Sequence, residues 1–122
     1  MTIRNLTRNK AVADRADRAD NPWKRMKGLL GRSQLAPGEA LLISPCQSVH
    51  MLFMKFVIDV IFLDKQNRVV GLCGGLKPFQ FSPVFWKSAC AIEAPVGTIV
   101  KTHTQLGDQF QLTGNDRSGR HV

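Results

Sequence analysis

A chain of 122 residues with 43% apolar and 21% charged residues has the make-up of one globular domain, which excludes the fibrous and disordered classes. Its net charge of +8 would suit a polyanion partner, yet residues 1 to 32 hold nine Lys or Arg against three Asp, while residues 33 to 114 hold six against five acids. The excess therefore lies on an N-terminal arm, where Asp14, Asp17 and Asp20 interrupt it; the arm reads as a solvated face and nucleic-acid binding is not expected.

Met1 to Lys10 contains no apolar stretch of signal-peptide type, and the richest apolar run, Phe56 to Leu63, is too short to span a bilayer and is broken by Asp59. No membrane partner is expected. Cys46, Cys73 and Cys90 are odd in number and lack C-x-x-C spacing, so they read as free thiols of a cytoplasmic protein.

In chain order, the triplet run Ala13 to Asp20 looks by itself like a surface helix, with Asp14 and Arg18 at i, i+4. Asn21-Pro22 then starts a short helix to about Leu30, with Trp23, Met26 and Leu30 on one face and Gly31 at its end. Beyond Pro37-Gly38 the apolar residues form short runs between turn residues, which predicts strands at Ala40–Ile43, Ser48–Met54, Phe56–Leu63, Arg68–Cys73, Ala89–Ala94 and Gln109–Leu112. Asp64 to Asn67 reads as a hairpin turn and Gly107-Asp108 as the turn before the last strand. Phe56–Leu63 is apolar on both faces, which demands cover on both sides. The expected fold is mainly β, bordering on α+β: a small β-sandwich, jelly-roll-like or barrel-like, with the short helix packed on one side. Residues 1–114 form the domain, and the polar segment 115–122 is expected to be a disordered tail.

Three stretches point further. Arg25-Met26-Lys27-Gly28-Leu29-Leu30-Gly31-Arg32, the long segment from Pro45 through Ser48-Val49-His50 and Met54 to Ile58-Asp59-Val60 and Phe62-Leu63-Asp64, and Glu93-Ala94-Pro95-Val96-Gly97-Thr98 followed by Gly107-Asp108 are each similar to a segment of one family. Together they make the chain resemble the bacterial domain-of-unknown-function family number 192. Met51 stands where that family usually has Thr, and Val57 where it has Pro. The resemblance implies a mostly β sandwich in which Lys10 to Ala19 is a strand following a hairpin. It implies no activity, substrate or cofactor.

Chemistry has few places to reside. On a strand Ser48–Met54, His50 and Met54 would share a face, joined by Cys46 if the strand extends back, and thiolate, imidazole and thioether form a soft-donor set suited to Cu(I). Cys, Met and a single His are more often core fillers, so no metal and no cofactor are expected. Asp59 in the middle of an apolar strand requires a partner: His50, Lys55 or backbone N–H groups of the bend near Met54 to Phe56. A hairpin folded at Lys55 would bring His50 and Asp59 together. The leading reading is a small binding or accessory module for an unidentified small ligand or protein, with a site around His50, Met54 and Asp59 and with Arg32 and Lys55 as anion contacts. The alternatives are a hydrolase using Cys46, His50 and Asp59, and a nucleic-acid accessory protein using the N-terminal arginines.

Overall fold

Short apolar runs bounded by Gly, Pro and Asn become strands because alternate side chains can then bury on opposite sides of a pleated ribbon. A computed structural model describes residues 1–19, 34–52 and 54–114. In order these form β1 (Thr2–Asn5), β2 (Lys10–Ala13), β3 (Arg15–Ala19), β4 (Glu39–Ile43), β5 (Ile58–Leu63), β6 (Val69–Leu76), β7 (Cys90–Pro95), α1 (Thr98–Lys101) and β8 (Phe110–Thr113). They pair as a three-stranded sheet, β2-β1-β8, and a five-stranded sheet, β3-β4-β7-β5-β6. All pairs are antiparallel except β3 with β4. Two open sheets pack as a sandwich, so the mainly-β expectation holds and the barrel alternative falls.

The small sheet covers one face of the large one. Ile3, Val12 and Phe110 pack there on Leu42, Ile61, Leu63 and Ile92. The opposite face buries Leu41, Ile43, Ile58, Val60 and Phe62 under Leu35, Val49, Met51 and Met54, with Phe85 against them. Every residue of β5 is buried, as its two apolar faces predict. Lys10–Ala13 and Arg15–Ala19 are strands rather than helix, as the family resemblance implies, but they are two strands of different sheets broken at Asp14. Asp14 and Arg15 both donate their N–H to Gly38 O at 3.1 and 2.9 Å, and there the chain steps from the small sheet to the large one.

Some expectations are corrected. Ser48–Met54 is not a strand of either sheet: β5 is flanked by β7 and β6, so it has no free edge to offer a hairpin partner. The adjoining strand starts at Ile58 instead of Phe56. Sequence pattern does not announce α1, since four residues carry too little periodicity to read. The basic arm is, through Ala19, sheet: Arg4 donates to Asn9 Oδ1, Arg8 pairs with Asp108, and Arg15 lies 3.6 Å from Asp14. The expected helix from Pro22 to Leu30, Arg32 and the tail from Asn115 lie outside the described residues.

Candidate functional site

Asp59 needs compensation because an ionised carboxylate in an apolar strand is costly to bury alone. Alternation along β5 turns Ile58, Val60 and Phe62 to the face beneath Met51 and Met54, and Asp59 to the face of Ile61 and Leu63. There its Oδ1 accepts the Gly75 N–H at 2.9 Å, and its Oδ2 accepts the N–H groups of Gly97 and Ile99 at 3.1 and 2.9 Å. Gly97 is the N-cap of α1 and has no capping side chain, so a strand carboxylate supplies the acceptor instead. Backbone N–H groups are therefore the partners, as one expectation had it, but they come from β6 and α1 and not from the bend near Met54. His50 and Asp59 do not meet, because the loop carrying His50 packs on the other face of the sheet through Val49 and Met51.

A second buried carboxylate, Asp108, follows α1 in the chain. It accepts Arg8 Nε and Nη2 at 3.0 and 3.1 Å, Asn5 Nδ2 at 2.9 Å and the Gln105 N–H at 2.9 Å. Asn5 also reaches Thr104 Oγ1 at 3.1 Å, which is 2.7 Å from Thr102 Oγ1. Burial alone would push the Asp108 carboxyl up, but the Arg8, Asn5 and Gln105 donors together hold it below the ordinary 3.8. Between α1 and β2 lies a cleft of about 200 Å³ lined by Val12, Gly38, Pro95, Thr98 and Lys101 among others.

The residues after β4 build a different surface. Segment 47–51 runs against segment 79–86: Met51 N–H donates to Gln80 O at 2.9 Å, Phe79 N–H to Met51 O at 2.8 Å, Ser82 N–H to Val49 O at 2.9 Å and Phe85 N–H to Gln47 O at 2.8 Å. His50 bridges Phe81 in the middle, with the two rings 6.4 Å apart. Pro78 and Pro83 lack donors and Phe79 has φ 69°, so no regular ladder forms. Phe85 anchors the pair: its ring lies 4.6 Å from that of Phe62, over Gly71, where a Cβ would come within 2.6 Å of it. Met54 is buried below, and Lys55 is exposed at the rim. Leu52, Phe79, Phe81, Val84 and Trp86 remain in solvent.

Of the predicted soft set, Cys46 is half-buried and its thiol donates to Ser48 O at 3.1 Å. Among the described residues no three His, Cys, Asp or Glu side chains come together as a metal site. Burial pushes the Cys73 thiol up, and burial followed by the nearby Cys46 raises Cys90 to about 11, so these two stay protonated at neutral pH. Two buried carboxylates, Asp108 and Glu93, are absent from the site residues that the sequence suggests. Glu93 is fully buried on β7 opposite Leu41 and Val60, on the same sheet face as the His50 loop. A signal for it exists, since Glu93 is the only charged residue of the run Cys90–Pro95.

Known proteins resemble the chain along most of its length. A protein of the UPF0127 group from Pyrococcus furiosus is 34% identical over 113 residues, covering 88% of this chain and 94% of the relative. One from Thermococcus sibiricus is 34% identical, covering 87% and 71%. Two solved bacterial structures share the fold: a protein of unknown function from Novosphingobium aromaticivorans (TM-score 0.76, 19% identity, 90% of this chain and 81% of that one), and a Sinorhizobium meliloti protein described as a candidate transcription regulator (TM-score 0.72, 19% identity, 90% and 89%). The archaeal relatives make "bacterial" too narrow for the group. The profile of family DUF192, described as "Uncharacterized ACR", matches residues 4–112, and the chain belongs to that family.

Proposed function

We propose that the chain is a small binding module, with residues 1–114 acting as one domain, and that it binds through the loop pair 46–55 and 77–87. One observation carries this reading: large apolar side chains stay in water on a frame that is otherwise hydrogen-bonded and anchored to the core. His50 occupies the middle of that frame, Met54 supports it from below and Lys55 flanks it. Asp59 serves the module indirectly, as the support of α1, and Arg32 is retained as an anion contact on sequence grounds alone.

The hydrolase alternative needs Cys46, His50 and Asp59 to act together, and the three backbone donors of Asp59 on the far face speak against it. The nucleic-acid alternative loses support from the engagement of Arg4, Arg8 and Arg15 within the sheets and their turns. A cytoplasmic setting fits the free thiols of Cys46, Cys73 and Cys90.

Two-dimensional amide NMR during a screen of fragments, short peptides and lipid-like amphiphiles tests the proposal. Perturbations are expected at His50, Gln80, Phe81 and the Trp86 indole. Hits confined to the cleft beside Lys101 would overturn it.

A further inference from the structure

The identity of the partner follows from the chemistry of the same loop pair, and the inference rests on the reading that this pair is the binding surface. Phe79, Phe81 and Trp86 are 72%, 65% and 77% exposed, with Val84 and Leu52 beside them in the loops. Rings so largely in water project outward; they do not wall a groove, which is the usual form of a site for a peptide or small molecule. The charge of the two loops is of one sign. Between Ser44 and Val57, and between Lys77 and Ala89, there is no Asp or Glu, while Lys55, Lys77 and Lys87 are all exposed.

A second copy of the chain is a poor occupant, because a symmetric contact would set lysine against lysine with no acid to pair them. Projecting Trp and Phe with lysines and no acids match the headgroup boundary of a bilayer that carries negative charge. Aromatic rings settle there, and lysine stems lie along the apolar layer with their ammonium groups at the phosphates. The anchoring of the loops is compatible with insertion, since Phe85 over Gly71 and the backbone bonds of the frame hold them without using any of the projecting rings.

We infer that the loop pair 46–55 and 77–87 docks the protein on an anionic lipid surface, inserting Phe79, Phe81 and Trp86 while Lys55, Lys77 and Lys87 contact phosphate. This is peripheral docking and requires no spanning segment; no helix among the described residues is long and apolar enough to cross a membrane.

Vesicle flotation decides it, with phosphatidylcholine vesicles made with and without phosphatidylglycerol. The intact protein is expected to float with the anionic vesicles alone, and to be released by salt. Trp86→Ser and Phe81→Ser should each reduce partitioning about tenfold. Lys77→Gln and Lys87→Gln should each reduce it about fivefold. All four residues are exposed, so thermal melts should match the parent and separate lost docking from lost folding. If neither vesicle floats the protein while an acidic peptide perturbs His50 and Trp86 by NMR, the lipid assignment fails and the binding module stands with a protein partner. If vesicles bind and the four variants bind equally well, the lipid contact lies elsewhere and the lipid assignment fails; if neither vesicles nor peptides engage the loops, both readings fail.

Discussion

Around α1, polar groups lie in the interior beneath exposed aliphatic side chains, Val96, Val100 and Leu106; on the loop pair, exposed aromatic rings stand on a fixed frame. Asp59 and Asp108 are buried and surrounded by donors, three backbone N–H groups for the first and Arg8, Asn5 and Gln105 for the second. Their polarity is consumed inside the fold. Phe79, Phe81 and Trp86 contribute little to the core and are held out from it by a neighbour, Phe85, that does pack. A buried carboxylate with all its acceptors used is an anchor, whereas an exposed ring on a fixed frame is available to something else. The contrast teaches that an anomaly in sequence is informative only once its solvent exposure is known.

The largest expected effect is on the interior side. Asp59→Ala strands three N–H donors at once and should cost about 3–4 kcal/mol in denaturant melts, while leaving amide shifts of the loop pair unchanged. Combined with His50→Ala, the losses should add to within about 0.5 kcal/mol, because the two residues lie on opposite faces of the sheet. Coupling beyond that would erase the division between the two regions.

Asp108→Ala is expected to cost about 2–3 kcal/mol. It should also alter the acid limb of stability. A carboxyl held below 3.8 in the folded state contributes fully above that pH, and its contribution drains away as pH falls below it toward the lowered value. The variant should therefore lose less stability than the parent on acidification through this range; parallel curves would show that Asp108 is not the anchor.

Gly71→Ala tests the link between core and loop. The added methyl would overlap the Phe85 ring and should cost about 1–3 kcal/mol. Loop resonances from Gln80 to Trp86 should shift with it, and an unchanged loop would mean that Phe85 is not what holds the frame. Smallest of all is Trp86→Ser, which should move stability by no more than about 0.5 kcal/mol. A larger loss would mean that the ring belongs to the fold after all.

Much of the framework is legible in the sequence. The two apolar faces of Phe56–Leu63 demand cover on both sides, and β5 is buried throughout. Asp64 does mark the hairpin, its Oδ1 accepting the N–H groups of Gln66 and Arg68 at 2.9 Å. Asp59 stands out as needing a partner, and backbone donors are among those its setting allows. Pattern fails at Ser48–Met54, whose alternation satisfies strand grammar but whose neighbour β5 has both edges taken. The triplet run misleads in the opposite sense: its helical spacing gives way to pairing with β4, with Ala16 and Ala19 buried on opposite sides.

Sequence by itself determined the β character, the interior position of β5, the hairpin after it and the family, because these depend on periodicity, turn residues and motif order within short stretches. Which face each carboxylate occupies, that His50 and Asp59 stand apart, that Phe85 packs while Trp86 does not, and that three lysines and three rings share one pair of loops were decided by tertiary structure alone. Those facts depend on strand order and on contacts between segments far apart in the chain, which local pattern does not encode.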